Sequence, residues 1–460
     1  MAQTKLPDGP QDAPLLQLIQ WNTRPLEFLD TCANRYGDCF TARLGSFASF
    51  VLFGNPQAIE QIFTADPNQF GVNSILRATV GDNSLILLEG DLHQRHRQLL
   101  MPPFHGERMR AYGQLMFQIA EQVTNPWAEN SNITIRPFMQ DISLQVILQA
   151  VFGLHQGQRC QQLKPLLTSL LNFTTSPLIF TLAFFPALMQ DLGPFSPGRH
   201  FIRRKQKIDQ LIYAEIHERR EHPDPSGSDI LTLLLSARDE AGQPMTDEEL
   251  RDELITLLLA GHETTATAMT WALYWIHRLP EVKEKLLEEL DTLGHNPDPS
   301  AITRLPYLNA VCSETLRIYP IVLVGTPRVA KSPIQIMGYE FEPNTVLTPC
   351  IYSLHRREDL YPEPKQFKPE RFLERQFSPY EYLPFGGGNR RCIGAAFALY
   401  QMKLVLATVL SRFELALADN RPVKPVRRGV TMTPAGGVKM VVKGRRPRRE
   451  QTPQPTASLV

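Results

Sequence analysis

Apolar side chains recur three and four positions apart over much of the chain, the spacing of one buried helix face. This pattern predicts helices over Met109–Asn125, Asp141–Phe152 and Phe201–Arg220, the last charged and amphipathic. A further helix opens at Pro280, where proline suits the first helical position, and closes on Gly294. Strand-like runs are short: Phe40–Leu44, Ser49–Phe53, Ile334–Ile336 before Gly338, Thr345–Tyr352 and Val438–Val442. They sit near the two ends and around 335–350, so a mainly α domain with small β-sheets to one side is expected, not an alternating βαβ fold. No solenoid-length repeat is visible. The turn-rich start and the basic, proline-containing end carry no core pattern. A single domain over 1–460 with flexible ends at about 1–20 and 445–460 is the expectation.

One helix is longer than the others. Thr246-Asp247-Glu248-Glu249 is a capping box, and a proline-free helical pattern runs from it to Leu279. With apolar residues on most faces, it should cross the centre of the domain. Its middle reads LLLAGHETTATA. Ala266 stands where a zinc protease needs a second histidine, so that chemistry is excluded. Thr264 can turn its hydroxyl to the carbonyl of Ala260 and compete with the backbone bond, with Gly261 leaving room beside that carbonyl. The expected result is a local opening of the helix: a groove edged by a hydroxyl and by the Glu263 carboxylate, suited to proton delivery. His262 reads as a helix-packing residue.

Composition narrows the classes. The 460 residues are 43% hydrophobic with a net charge of +1, which gives no strong field for nucleic acid. Six scattered cysteines form neither CxxC nor finger spacing, as in a reducing, cytoplasmic compartment. Residues 166–190 carry no charge and have the length of a membrane span, but Pro177, Pro186 and several threonines interrupt them. A buried or pocket-lining lid is favoured, with peripheral membrane contact left open and no span expected.

The stretch FGGGNRRCIG, Phe385–Gly394, raises two readings: a phosphate loop or a reactive thiol. Arg391 occupies the third glycine position of a dinucleotide fingerprint, and no GK[ST] follows, so phosphate falls. Cys392 lies just before a helix whose buried stripe is Ile393, Phe397, Tyr400 and Leu404. The positive helix end favours a thiolate. Gly388 and Gly394 allow close approach to something flat or unusual backbone angles. Phe385 would shield the sulfur, and Arg390 would neutralise a nearby acid. A thiolate so held is a good iron ligand. A cysteine-nucleophile hydrolase would need an oriented histidine–carboxylate set, and none is identifiable.

The stretch resembles the haem-binding signature of the cytochromes P450, F-x-x-G-x-R-x-C-x-G, at every fixed position. AGHETT resembles the family's oxygen-activating segment. Glu314-Thr315-Leu316-Arg317 is similar to its E-x-x-R helix, and Pro369-Glu370-Arg371-Phe372 to the segment whose arginine completes an ion triad. The resemblance covers about residues 20–445. It implies the cytochrome P450 fold, with haem b (iron protoporphyrin IX) between the long central helix and the cysteine loop. Cys392 then matches the axial metal ligand, and Phe385, Gly388, Arg390, Gly394 and Ala260 contact the cofactor. Arg390, His93, Arg97 and Arg328 match propionate partners, with Arg95 and His96 facing outward. Glu263 and Thr264 match the acid–alcohol pair that relays protons.

The resemblance implies a monooxygenase and a hydrophobic substrate near Ser84, Leu85, Ala260, Val322, Leu323 and Val324. A long-chain fatty acid or alkane is favoured, with terpenes, retinoids or steroids as alternatives. A haem-based sensor with little turnover is the reading from another class. No flavin or nicotinamide motif is evident, so electrons are expected from a separate ferredoxin or flavodoxin with its reductase, with Arg391 either meeting the donor or merely solvated. A monomer is expected.

Overall fold

The computed structural model describes residues 6–447 except 45–48, 73–75, 155–156, 186–189, 192, 194–195, 225–226 and 295–296. The predicted capping box forms in full: the Glu249 N–H donates to Thr246 Oγ1 at 3.1 Å, and the Thr246 N–H donates to Glu249 Oε2 at 2.8 Å. From this cap the central helix Asp247–Arg278 runs for 32 residues without a break, so the expected local opening is absent from its backbone. It packs against helices Ile135–Phe152, Ala395–Arg412 and Pro306–Ile318 and against strand Thr431–Pro434. Gly261 serves that packing. A Cβ there would lie 2.8 Å from Ile147 Cδ1, so glycine lets helix Ile135–Phe152 close onto the central one.

The small sheets lie to the side, as the strand pattern predicts. A five-stranded sheet orders Cys39–Arg43, Ser49–Phe53, Val346–Pro349, Arg328–Ala330 and Phe70–Gly71. Only the Ser49–Phe53/Val346–Pro349 pair in it is parallel. Three strands, Asn132–Thr134, Lys439–Arg445 and Phe413–Leu417, form a second sheet. Two hairpins complete the set: Ile334–Ile336 with Tyr339–Phe341, and Pro425–Arg428 with Thr431–Pro434.

Several boundaries differ from expectation. The helix expected from Asp141 starts at Ile135, because Pro137 falls in its first turn, where no intrahelical N–H is needed. The strand expected through Tyr352 ends at Pro349, which has no N–H for a ladder, and helix Ile351–His355 follows. The start of the chain is not loose after residue 5. Helix Pro14–Thr23 buries Leu18 and Trp21, and the Gln17 amide donates to the carbonyls of Pro10 and Asp12 while accepting from the Arg43 N–H. Residues 1–5 and 448–460 of the expected flexible ends lie outside the described residues. The uncharged stretch is split between helices Gln158–Thr174 and Pro177–Leu182, with its residues 186–189 outside the description. Among the described residues, no helix is long and apolar enough to cross a membrane.

The E-x-x-R helix carries a fully buried ion network. Glu314 and Arg317 both have 0% side-chain exposure and pair through two bonds of 2.6 and 2.8 Å. Arg371 Nε reaches Glu314 Oε1 at 3.3 Å, and the Lys368 N–H donates to the same oxygen at 2.8 Å. Arg317 also donates to the carbonyls of His355, Pro364 and Gln366. The His355 ring, itself fully buried, accepts the Leu383 N–H through Nε2 at 2.9 Å and must stay neutral. Burial, with Arg317 beside it, lowers its pKa to about 3.

Two predictions follow from this network. Glu314→Ala leaves two buried guanidiniums without their carboxylate and should destabilise the fold by about 3–5 kcal/mol. Denaturant unfolding measures this, and an unchanged midpoint would mean that solvent screens the pair. His355 binds a proton more readily unfolded, near its ordinary value of about 6.5, than folded. Its contribution is therefore intact above about pH 6.5 and is lost as pH falls toward 3, about 2 kcal/mol by pH 5. His355→Asn should flatten the stability–pH curve between pH 7 and 5, and an unaltered slope would contradict the assignment.

Candidate active site

The glycine-rich loop is folded against helix Pro56–Thr64. Gly386 and Gly388 have φ of +63° and +62°, left-handed values that favour glycine. A Cβ on Gly387 would lie 2.3 Å from the Phe63 ring, so that glycine answers packing. Gly394 differs from the expectation of unusual angles: its φ is −86°, and a Cβ there would meet no protein atom within 4 Å. The Cys392 N–H donates to the Phe385 carbonyl at 2.9 Å, which closes the loop, while Phe385 itself packs on the main core. Cys392 comes three residues before helix Ala395–Arg412. Its sulfur accepts from the Gly394 N–H. The side chain keeps accessible surface, yet burial pushes its thiol pKa up, against the pull of Gly394, Arg97 and Arg391. A sulfur both accessible and desolvated faces an interior space.

Cations gather beside it. Burial and the neighbouring Arg390, Arg97 and Arg328 lower His93 to about 3, and burial and Arg390 lower Arg328 to about 10. Arg390, also drawn down to about 10, donates to the carbonyls of Leu85 and Leu88. Arg97 donates to the Arg391 carbonyl at 2.9 Å and Arg328 to Asn389 Oδ1 at 3.2 Å. Among the described residues, none of the three arginines forms a salt bridge. Three arginines without a salt bridge, Arg328 buried and Arg97 and Arg390 half-buried, fit an anionic group that comes from outside the chain.

The metal chemistry fits likewise. Among the described residues no cluster of three His, Cys, Asp or Glu side chains could hold a bare ion. A single thiolate suits an iron that brings its own macrocycle, and the uncovered Gly394 leaves a face for a flat ring. Cys392, Gly394 and Phe385 would hold haem from the loop, and Arg328, Arg390, Arg97 and His93 would hold its propionates.

On the central helix the expected pair separates. Thr264 Oγ1 donates to the Ala260 carbonyl at 2.6 Å, the bond expected from the sequence, and Ala260 is exposed in the middle of a mostly buried helix. Glu263 is not at that edge. One residue along an α-helix turns about 100°, and its carboxylate is buried against helix Ile135–Phe152. There it binds Arg136 Nη2 and, at 2.8 Å, Gln140 Nε2. His262 Nε2 contacts the Gln140 carbonyl at 3.1 Å, a packing role. Ser143 Oγ donates to the carbonyls of Gly261 and His262. Sequence reasoning missed Arg136, Gln140 and Ser143. Their spacing with Ile147, at intervals of four, three and four, was the available signal: one helix face carrying the groups that meet AGHETT.

Three other expectations need correction. His96 does not face outward: it is 1% exposed, with Nδ1 2.7 Å from Glu253 Oε1, while Arg95 pairs with Asp239 and Glu249. Both tie helix Gly90–Leu100 to the start of the central helix. Ser84 is fully buried, its hydroxyl 2.7 Å from Thr256 Oγ1, so it fastens a loop instead of lining a pocket. Leu323 packs into the apolar cluster of Phe40, Cys350 and Tyr352, leaving only Val322 and Val324 half-buried, with Val324 against the edge of the same cluster. Leu85 joins the main core.

If the arginines hold an anion, Arg328→Leu should accelerate haem loss to a scavenging protein about ten- to hundredfold, the equivalent of about 1.5–3 kcal/mol for a charged hydrogen bond. Unchanged retention would confine Arg328 to its bond with Asn389.

The family model described as Cytochrome P450 matches residues 7–440. A protein of Mycobacterium tuberculosis provisionally named cytochrome P450 135B1 is 36% identical over 96% of this chain and 92% of its own length. Another from that organism, provisionally named cytochrome P450 135A1, is 32% identical over 94% of both chains. Among solved structures, retinoic acid-bound cyanobacterial CYP120A1 superposes with a TM-score of 0.83 at 24% identity, covering 96% of this chain and 99% of that one. The cytochrome P450DA heme domain gives 0.82 at 23% identity, with 96% and 98% covered.

Proposed function

This chain belongs to the cytochrome P450 family of haem b monooxygenases, and from that premise we propose that it hydroxylates an elongated apolar molecule, a long-chain fatty acid or alkane before a terpene, retinoid or steroid. One oxygen atom of dioxygen enters a C–H bond of the substrate. The other leaves as water with two protons and two electrons, which a separate ferredoxin or flavodoxin and its reductase would supply. The observation that carries this reading is the exposure of Ala260 and the partial exposure of Thr264 on a helix buried along nearly its whole length.

Bound through Cys392, haem supplies dioxygen activation, which a thiolate ligand favours by pushing electron density to the iron. The chain's own groups do the rest. The Gly394 N–H and the helix end steady the thiolate. Thr264 holds a proton at Oγ1, shared with the Ala260 carbonyl. Glu263 is the acid member of the relay, and its carboxylate must turn from Arg136 to reach the groove. Val322 and Val324 offer branched apolar walls and no polar anchor, which suits an alkyl chain.

The test combines two measurements. Cys392→Ser should abolish the thiolate-type absorption band of the carbon monoxide-bound ferrous protein. Wild-type protein with a ferredoxin, its reductase and reduced nicotinamide should convert myristic acid to a hydroxylated product. Tight gas binding without any product would establish a sensor instead.

A further inference from the structure

The hairpin Pro425–Arg428/Thr431–Pro434 carries a cation that no part of the mechanism uses. The Arg427 guanidinium carbon lies 4.5 Å from the ring centre of Trp21 and 5.7 Å from that of Phe180. Its Nε and Nη2 are sealed from solvent and have no hydrogen-bond partner. Burial alone draws its pKa down to about 9. Arg427 as a whole is half-buried; the buried Arg317 and Arg251 meet Glu314 and the pair Asp209 and Asp252. The neighbouring Arg428 is also lowered, by burial and by Arg136, with Glu263 opposing them. Aromatic rings compensate only the faces of a guanidinium. Its N–H groups lie in the plane, where they match a carboxylate.

The surroundings are those of an amphiphile site. Nine large apolar side chains are exposed among the described residues, and six of them (Leu15, Leu16, Ile19, Leu178, Val426 and Val430) lie on the two helices and the hairpin that enclose Arg427. The helices are joined there by Asn22 Nδ2 donating to Thr181 Oγ1 at 3.1 Å. Inward, Trp21 and Phe180 share one apolar cluster with Leu323, Met432 and Val324. Met432 is bonded to the Ile321 carbonyl and accepts the Trp271 indole N–H from the central helix. A continuous stretch of packed apolar side chains thus connects the exposed rim beside Arg427 to Val324.

We propose that Arg427 binds the carboxylate of a long-chain acid whose alkyl chain passes along this cluster toward Val324 and the Ala260–Thr264 surface. The acid's role as substrate rests on the monooxygenase reading; its binding does not. Holding the carboxylate at the hairpin directs oxidation to carbons remote from it.

The test uses the haem-loaded protein and two probes, myristic acid and methyl myristate, titrated by calorimetry and by the ferric spin-state change. Wild type should bind the acid at least tenfold more tightly than the ester. Arg427→Leu should lose at least tenfold in acid affinity, with ester affinity, haem content and the carbon monoxide band unchanged, and Arg427→Lys should keep part of the preference. Equal binding of acid and ester by wild type, or equal weakening of both in Arg427→Leu, would overturn the proposal. Should Arg427→Leu not fold, the wild-type preference and its reduction in Arg427→Lys decide. Calorimetric binding of the acid without any oxidised product would sink the monooxygenase assignment of the substrate and leave the binding site standing.

Discussion

The position of the cysteine loop depends on a pair of charges with no access to water. Glu314 and Arg317 are buried completely, and isolated charges in such a place would be prohibitive. They persist because every remaining donor is used. Arg317 spends its hydrogens on the His355, Pro364 and Gln366 carbonyls as well as on Glu314. From His355 the order passes outward: its ring takes the Leu383 N–H, the Leu383 carbonyl takes the Gly386 N–H, and the Phe385 carbonyl takes the Cys392 N–H. The sulfur is thus fixed in space by a sequence of bonds that begins at a carboxylate 78 residues earlier in the chain (392 − 314). Such a pair adds little net stability compared with an apolar core, but removing one partner is costly, so it specifies one loop geometry.

Buried arginines in this protein fall into two physical groups. Arg251 and Arg317 meet carboxylates of the chain itself, and their function is complete within the fold. Arg328, Arg390 and Arg427 are desolvated to pKa values well below the ordinary one, without a salt bridge among the described residues, although Glu89 draws Arg390 partly back up. Folding tolerates this only where other gains offset it, as the carbonyls of Leu85 and Leu88 do for Arg390 and the rings of Trp21 and Phe180 do for Arg427. The same charge imbalance therefore marks two places for foreign anions. One lies by the thiol and the other at the apolar rim.

What the sequence made legible is local. The capping box, the Thr264–Ala260 bond, the glycine-rich loop and the Glu314–Arg317 pair each involve residues within about a turn or a loop of one another, so spacing alone predicts them. What it concealed depends on partners far along the chain. Nothing near His96 says that Glu253 awaits it 157 residues later, nor near Ser84 that Thr256 does. Leu323 and Val324 are both apolar in the sequence, and only the folded cluster shows the first buried and the second half-buried at its edge. Gly261 was read as room beside a carbonyl, but its need comes from Ile147 on another helix.

Glu263 shows how the two levels meet in function. Its carboxylate oxygens accept hydrogen bonds from Arg136 and Gln140 and are occupied away from the groove. Turning it toward the groove strips Arg136 of its carboxylate, and stranding a buried charge costs about 3–5 kcal/mol unless water follows. Thr264 has no such tie, since its hydroxyl needs only to rotate from one backbone carbonyl. The two members of the relay therefore differ in readiness. The alcohol is poised at the groove, while the acid is held behind the helix by a guanidinium. In the relay proposed above, proton supply would be governed by how often Glu263 leaves Arg136, which would place its control on helix Ile135–Phe152 and outside the groove itself.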